Sequence, residues 1–252
     1  MNEWFDDLKT AVAFLTRLPM PHPDGAVPAN FVRAHRMFPV VGALIGAAVG
    51  LLCIGLRSIG VPDLAAAALA LGASALLTGA LHEDGLADIA DGFGGGRTRE
   101  SKLEIMRDSR LGTYGAMILL VSFAAKSSAL AAIPSGYVVP SLIAAHALGR
   151  GVLPAMSLNL PYARKDGLAR NAGQPDTATA AIAGGLSLLI ALSSLSWSNA
   201  LFAALLAGAS ALVMSWLALR QIGGQTGDVL GGAEQVAETA ILVLLAARLA
   251  QP

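Results

Sequence analysis

The chain reads as all-α: a polytopic integral membrane helical bundle of about six or seven transmembrane helices with an N-terminal interfacial helix. Three observations predict this. Of 252 residues, 55% are hydrophobic and only 13% are charged, about half the charged share of an ordinary soluble domain. The mean hydropathy is +0.63. Apolar runs close to the roughly 20 residues a helix needs to cross a bilayer recur along the chain. The formal net charge is zero, which speaks against a nucleic-acid partner. The lone cysteine, Cys53, lies in an apolar run and excludes an internal disulfide. Nothing marks a second domain, so residues 1–252 are expected to form one integral membrane domain.

Taken in order, Phe5, Leu8, Val12 and Leu15 recur at helical spacing among Asp6, Asp7, Lys9 and Arg17. That pattern suits a short helix on the membrane surface, with an ordinary packing helix as the alternative. Pro19, Pro21 and Pro23 stop it. Residues 2–7 lack the basic region of a signal peptide, so no cleaved leader is expected. Spans are expected near 38–56, 64–81, 114–133, 137–158, 178–196 and 200–219. A seventh apolar segment, 236–250, is short and carries Arg248 near its end. Gly42, Gly46 and Gly50 share one helix face and read as a close packing stripe. With the N-terminus in the cytoplasm, 13 of the 17 Lys and Arg fall on the cytoplasmic side. Arg57 and Arg248 fall opposite, and Lys126 and Arg150 lie inside spans. This bias puts residues 82–113 at the cytoplasmic face.

That segment is where chemistry is expected. Asp84, Asp88 and Asp91, at i, i+4 and i+7, fall within about 60° of one another on a helix. Three like charges on one face repel, and a divalent cation relieves the repulsion. Mg²⁺ takes hard oxygen ligands, with waters and substrate phosphate completing its shell. Glu104 and Asp108, again four apart, offer a second acidic face and further metal ligands. A solvated helix end is the plainer alternative. Gly92, Gly94, Gly95 and Gly96 lie between the two faces, where a broken helix would let backbone N–H groups approach a phosphate. Arg97, Arg99, Arg107 and Arg110 follow as anion donors. Topology alone accounts for Arg97 and Arg99, whereas Arg107 and Arg110 alternate with Glu104 and Asp108 as metal and diphosphate binding would require.

His82 precedes the cluster as a candidate general base or a bystander, and Glu83 points off the aspartate face. Arg150 inside a span is costly unless it pairs or meets a ligand, and Lys126 is similar. Two polar loops complete the set. One, YARKDG (162–167), holds Arg164. The other, GGQTGD (223–228), holds Thr226 and Asp228, which add to a metal or substrate pocket or else cap a turn. A transporter with Lys126 and Arg150 as coupling residues is a rival reading, although its ionisable groups belong near mid-bilayer.

The run TGALHEDGLADIADGFGGG (78–96), followed by LEIMRDSRLG (103–112), closely resembles the cobalamin synthase (adenosylcobinamide-GDP ribazoletransferase) family. PYARKDGL (161–168) and GGQTGD (223–228) are similar to it too, in the same order, so the likeness spans nearly the whole chain. The resemblance implies a multi-pass enzyme of the bacterial cytoplasmic (inner) membrane, with its active site facing the cytoplasm. It implies Mg²⁺ as cofactor, and a corrinoid-GDP and α-ribazole, or its 5′-phosphate, as substrates. The ribazole 5′-hydroxyl would displace GMP. Membrane lipid is the other expected partner, and a homo-oligomer stays open. Asp84, Asp88, Asp91, His82 and Arg110 are the expected catalytic residues. Arg107, Gly94, Gly95, Gly96, Arg150, Arg164 and Asp228 are expected to bind substrate. Asp84, Asp88, Asp91, Glu104 and Asp108 are the expected metal ligands. A more distant likeness is to CDP-alcohol phosphotransferases. DIADG (88–92) matches the opening of their signature, but the following Ala-Arg is missing, and Glu100 and Glu104 stand where that signature has Asp.

Overall fold

A computed structural model describes residues 3–20, 30–167, 170 and 172–249. Pro21, Pro23, Leu168 and Ala250 lie outside the described residues. The helices run in the order α1 (Glu3–Leu15), α2 (Phe31–Ala34), α3 (Phe38–Ser58), α4 (Asp63–Thr78), α5 (Leu81–Gly95) and α6 (Arg99–Ile105). They continue with α7 (Thr113–Ala132), α8 (Ser135–Gly151), α9 (Leu153–Asn159), α10 (Thr177–Ser194), α11 (Trp197–Ile222) and α12 (Gly227–Leu249). A 3-10 turn, His35–Met37, joins α2 to α3. Among the described residues there is no strand, only a single bridge between Tyr162 and Gln225.

Six helical stretches are long and apolar enough to cross a bilayer: Phe31–Ser58, Thr113–Ala132, Ser135–Asn159, Thr177–Ser194, Trp197–Ile222 and Gly227–Leu249. Their outward faces carry bare aliphatic side chains, Leu51, Leu120, Leu189 and Leu212 among them. Such a surface is stable only against lipid. The chain is a multi-pass, all-α membrane protein. The short segment expected at 236–250 belongs to the full-length α12, which starts nine residues earlier at Gly227.

The core is built by close approach. A Cβ added at Gly42 or Gly46 of α3 would lie 2.3 Å from the carbonyl oxygen of His146 or Leu142 on α8, and one at Gly50 would lie 2.9 Å from Val139 Cα. The glycine stripe therefore lets two backbones touch, as expected. At one rim Arg57 ties three helices together. It donates to the Ile133 and Leu130 carbonyls at 3.0 and 2.7 Å and pairs with Asp63 at 3.2 Å. The N-terminal helix packs one face inward. Its buried Asp7 meets Arg33 at 2.9 Å and Arg36 at 2.7 Å, while Phe5 stays exposed.

The span expected at 64–81 is not one straight helix. Gly79 and Ala80 take left-handed backbone (φ 68° and 55°), and α4 and α5 meet at 92°. The Ala80 N–H bonds back to the Ala75 carbonyl at 2.7 Å, the closing bond of a Schellman end. Glycine suits position 79 because its φ of 68° is one that side-chain-bearing residues rarely adopt, and the Arg17 side chain lies against the space a Cβ would fill. The break redirects the chain so that α5 packs along α7 and α12.

Candidate active site

Helix α5 brings two of its aspartates to one wall of an open cleft of about 590 Å³. Asp84 is exposed and Asp88 half-buried. Arg107, Asp108, Ser109 and Arg110 form the facing wall. Asp228 approaches the α5 carboxylates from α12. Three glycines allow this: a Cβ on Gly85 would lie 2.8 Å from the Asp228 carbonyl, one on Gly232 2.4 Å from Ile89, and one on Gly231 3.2 Å from His82. Asp88 therefore feels the charges of Asp84, Asp91 and Asp228 together. Asp228 accepts from Arg164 Nη2 at 2.9 Å and from the Thr226 hydroxyl at 3.1 Å. That hydroxyl in turn accepts the Val229 N–H at 3.2 Å, so Thr226 caps the start of α12. The loop is thus a turn cap, and neither Thr226 nor Asp228 is among the residues that line the cleft.

The facing wall hangs from α6. Thr98 and Ser101 form a reciprocal capping box at its start. Arg99 pins it to the neighbouring loops through the Ile222 carbonyl at 2.7 Å and the Ala163 carbonyl at 2.5 Å. Beyond Ile105 the chain leaves helical geometry. Arg107 pairs with Asp166, and Arg110 Nε reaches both oxygens of Asp108 at 3.0 Å. The Arg110 hydrogen bonds hold the Asp108 carboxyl down to about 2, so it stays ionised at any working pH. The segments 96–112, 161–167 and 223–228 thus converge at one end of the bundle.

Several expected residues are placed otherwise. Asp91 does not line the cleft. Its two oxygens accept the backbone N–H groups of Gly112 and Gly115, each at 2.8 Å, which ties the end of α5 to the start of α7. Glu104 and Asp108 share no helix face, because α6 ends between them at Ile105, and Glu104 lies outside the cleft lining. Gly92, Gly94 and Gly95 do not break the helix. The Gly96 N–H is taken by the Gly92 carbonyl at 3.0 Å. A Cβ at Gly94 would meet the Tyr114 ring at 2.8 Å, and one at Gly96 would meet Lys102 N at 2.7 Å. These glycines serve packing against α6 and α7, and no phosphate cradle forms there. His82 is buried away from the cleft, with Nδ1 3.4 Å from Glu234 Oε2 and from Arg150 Nη2. Arg150 is fully buried and lies 2.5 Å from Glu234 Oε1, so it does not reach a substrate in the cleft.

Sequence reasoning missed the partners of these groups. Glu234, Gln235 and Glu238 on α12, with His146 on α8, are all buried inside spanning helices. Lys126 donates to Gln235 at 2.7 Å and to Glu238 at 3.1 Å. His146 Nδ1 lies 2.9 Å from both Arg150 Nη1 and Glu238 Oε2. His146, Glu234 and Glu238 have the spacing of metal ligands, but the Arg150 guanidinium already supplies the cation among them. The available signal was EQVAE (234–238), two acids four apart in an apolar run, which must answer the unpaired Arg150 and Lys126.

Residues 7–246 match the profile of the family described as cobalamin-5-phosphate synthase. The chain belongs to the cobalamin-5-phosphate synthase family. Similar relatives are named adenosylcobinamide-GDP ribazoletransferase. One, from Bradyrhizobium diazoefficiens, is 47% identical over 242 residues, covering 96% of this chain and 93% of the relative. Another, from Sinorhizobium medicae, is 42% identical over 258 residues, covering 98% of each. A third, from Rhizobium etli, is 46% identical over 267 residues, covering 99% of each. No solved structure matches. Membership makes this chain an enzyme of cobalamin synthesis, and the cobalamin-5-phosphate synthase match includes both walls of the cleft.

Proposed function

We propose that this chain transfers the phosphocobinamide group of adenosylcobinamide-GDP to ribazole or its 5′-phosphate, releasing GMP, in a Mg²⁺-dependent reaction at the cytoplasmic face. The observation that carries the reading is the cleft itself. Two aspartates of α5, with Asp228 beside them, oppose two arginines across a space open to solvent. Carboxylates crowded this closely are hard oxygen donors that fit Mg²⁺. Asp84 and Asp88 would hold the ion, with Asp228 adjoining. When bound, it would offset charge on the diphosphate and on the departing GMP.

The remaining work falls to side chains. Arg107 and Arg110 bind the diphosphate oxygens and stabilise charge that grows on them in the transition state. A ribose hydroxyl attacks the phosphorus attached to cobinamide, the phosphoanhydride bond to GMP breaks, and a carboxylate of the α5 wall accepts the hydroxyl proton. The family description names a cobalamin 5-phosphate, and a product keeping that phosphate was not made through the 5′-hydroxyl. Another ribose hydroxyl is therefore the nucleophile, in place of the 5′-hydroxyl expected from the resemblance. The excess of Lys and Arg on the side where the cleft opens supports a cytoplasmic site.

The test is an assay of purified protein with adenosylcobinamide-GDP and ribazole, or ribazole 5′-phosphate, with Mg²⁺ or with a chelator. Equimolar GMP and cobalamin product, formed only with the ion, is expected. No GMP with either acceptor would end the reading, and turnover of CDP-diacylglycerol with an alcohol would replace it.

A further inference from the structure

We propose that Glu234 and Gln235 are positioning residues, which act through α5 to set the distance between its aspartates and Asp228. The inference rests on the metal-holding role given above to Asp84 and Asp88. It starts from the break before α5. Ala80 is the one non-glycine with positive φ among the described residues. A left-handed alanine brings its Cβ against its own backbone, and such strain persists only where the surroundings over-determine it. The first turn of α5 lies immediately beyond it, and Asp84 lies in that turn.

One turn of α12 grips that first turn. Glu234 Oε2 lies 3.4 Å from His82 Nδ1, and Gln235 Nε2 lies 3.4 Å from Glu83 Oε1. The same Gln235 nitrogen donates to Glu234 Oε2 at 2.9 Å, so the two grips are joined. Each is anchored to a further helix: Glu234 to Arg150 of α8 at 2.5 Å, and Gln235 to Lys126 of α7 at 2.7 Å. In a low-dielectric span, groups of this kind are expensive to bury. An apolar α5–α12 seam built on Gly85, Gly231 and Gly232 would pack without them, yet it would leave α5 free to slide and turn. Residue 228 is less than two helical turns from residue 234 on the same helix. Fixing His82 and Glu83 against α12 therefore fixes Asp84 and Asp88 against Asp228.

The experiment uses Glu234→Gln in the full-length protein in detergent, read two ways. Mn²⁺ binding is followed by electron paramagnetic resonance. The distance distribution between spin labels at Arg97→Cys and Lys165→Cys is measured in a Cys53→Ala background. Protein that elutes as the parent does, binds Mn²⁺ at least tenfold more weakly and gives a broadened distance distribution is expected. Adding Ala80→Gly, which removes the strain at the break, should recover a large part of the Mn²⁺ affinity, which a general folding defect would not. An unchanged distance distribution in Glu234→Gln would overturn the inference whatever the metal result. If that variant does not fold, Gln235→Leu leaves the Arg150–Glu234 pair intact and must broaden the same distribution. Parental protein that binds no Mn²⁺ would count against the proposed metal site, while the distance measurement still decides the positioning role.

Discussion

Asp84 and Asp91 stand seven residues apart on α5 and do different jobs. Asp84 is open to the cleft, whereas both oxygens of Asp91 are spent on the Gly112 and Gly115 N–H groups. Asp84→Asn should lower GMP release by at least roughly 10–100-fold, the cost of altering even the outer partners of a metal site, with the thermal midpoint in detergent unchanged. Asp91→Asn leaves at least one buried N–H without an acceptor, a loss of about 1–3 kcal/mol, so its midpoint should fall by several degrees. Thermal melts run beside turnover separate the two, and exchanged phenotypes would exchange the assignments. Spacing alone showed that three aspartates share a helix face. Which of them is a tie and which is open depends on where α7 starts, and residues 84–91 carry no information about that.

At the scale of helices, glycine has two uses here. Gly46 touches the α8 backbone, and Gly208 of α11 has open space where a Cβ would be. Gly46→Ala should cost about 1–3 kcal/mol through forced separation of α3 and α8, and Gly208→Ala should be neutral or stabilising by up to about 1 kcal/mol. The thermal midpoints of the two variants measure the difference directly. The stripe at residues 42, 46 and 50 was readable because four-residue spacing on an apolar helix has one common meaning. The glycines at 92–96 were not, because the same residue permits both a turn and a close contact, and the contacting Tyr114 and Lys102 come later in the chain. The break at Gly79 and Ala80 was hidden for a related reason. Alanine favours helix locally, and the left-handed turn at residues 79 and 80 is set by how α5 packs on α7 and α12, which come later in the chain.

For the molecule as a whole, fold class and the end of the bundle that carries the candidate cleft were legible, since both follow from how charge is distributed over the entire chain. Apolar runs gave the spans, and the Lys and Arg bias gathered 96–112, 161–167 and 223–228 on the side where the structure joins them. The buried network of Arg150, Lys126, Glu234 and Glu238 was only half legible, because its acids and bases sit on different helices and each looks unpaired along its own. The bend before α5 also bears on the lipid. Helix α4 has 16 residues, a rise of about 24 Å, against roughly 30 Å of hydrocarbon in an average bilayer. Hydrophobic mismatch should then concentrate at the hinge that aims Asp84 and Asp88, since the longer neighbours can absorb thickness by tilting. In proteoliposomes of increasing acyl length, turnover should be highest in the thin bilayers and decline as the chains lengthen. A flat profile would show the hinge to be mechanically insulated from its solvent.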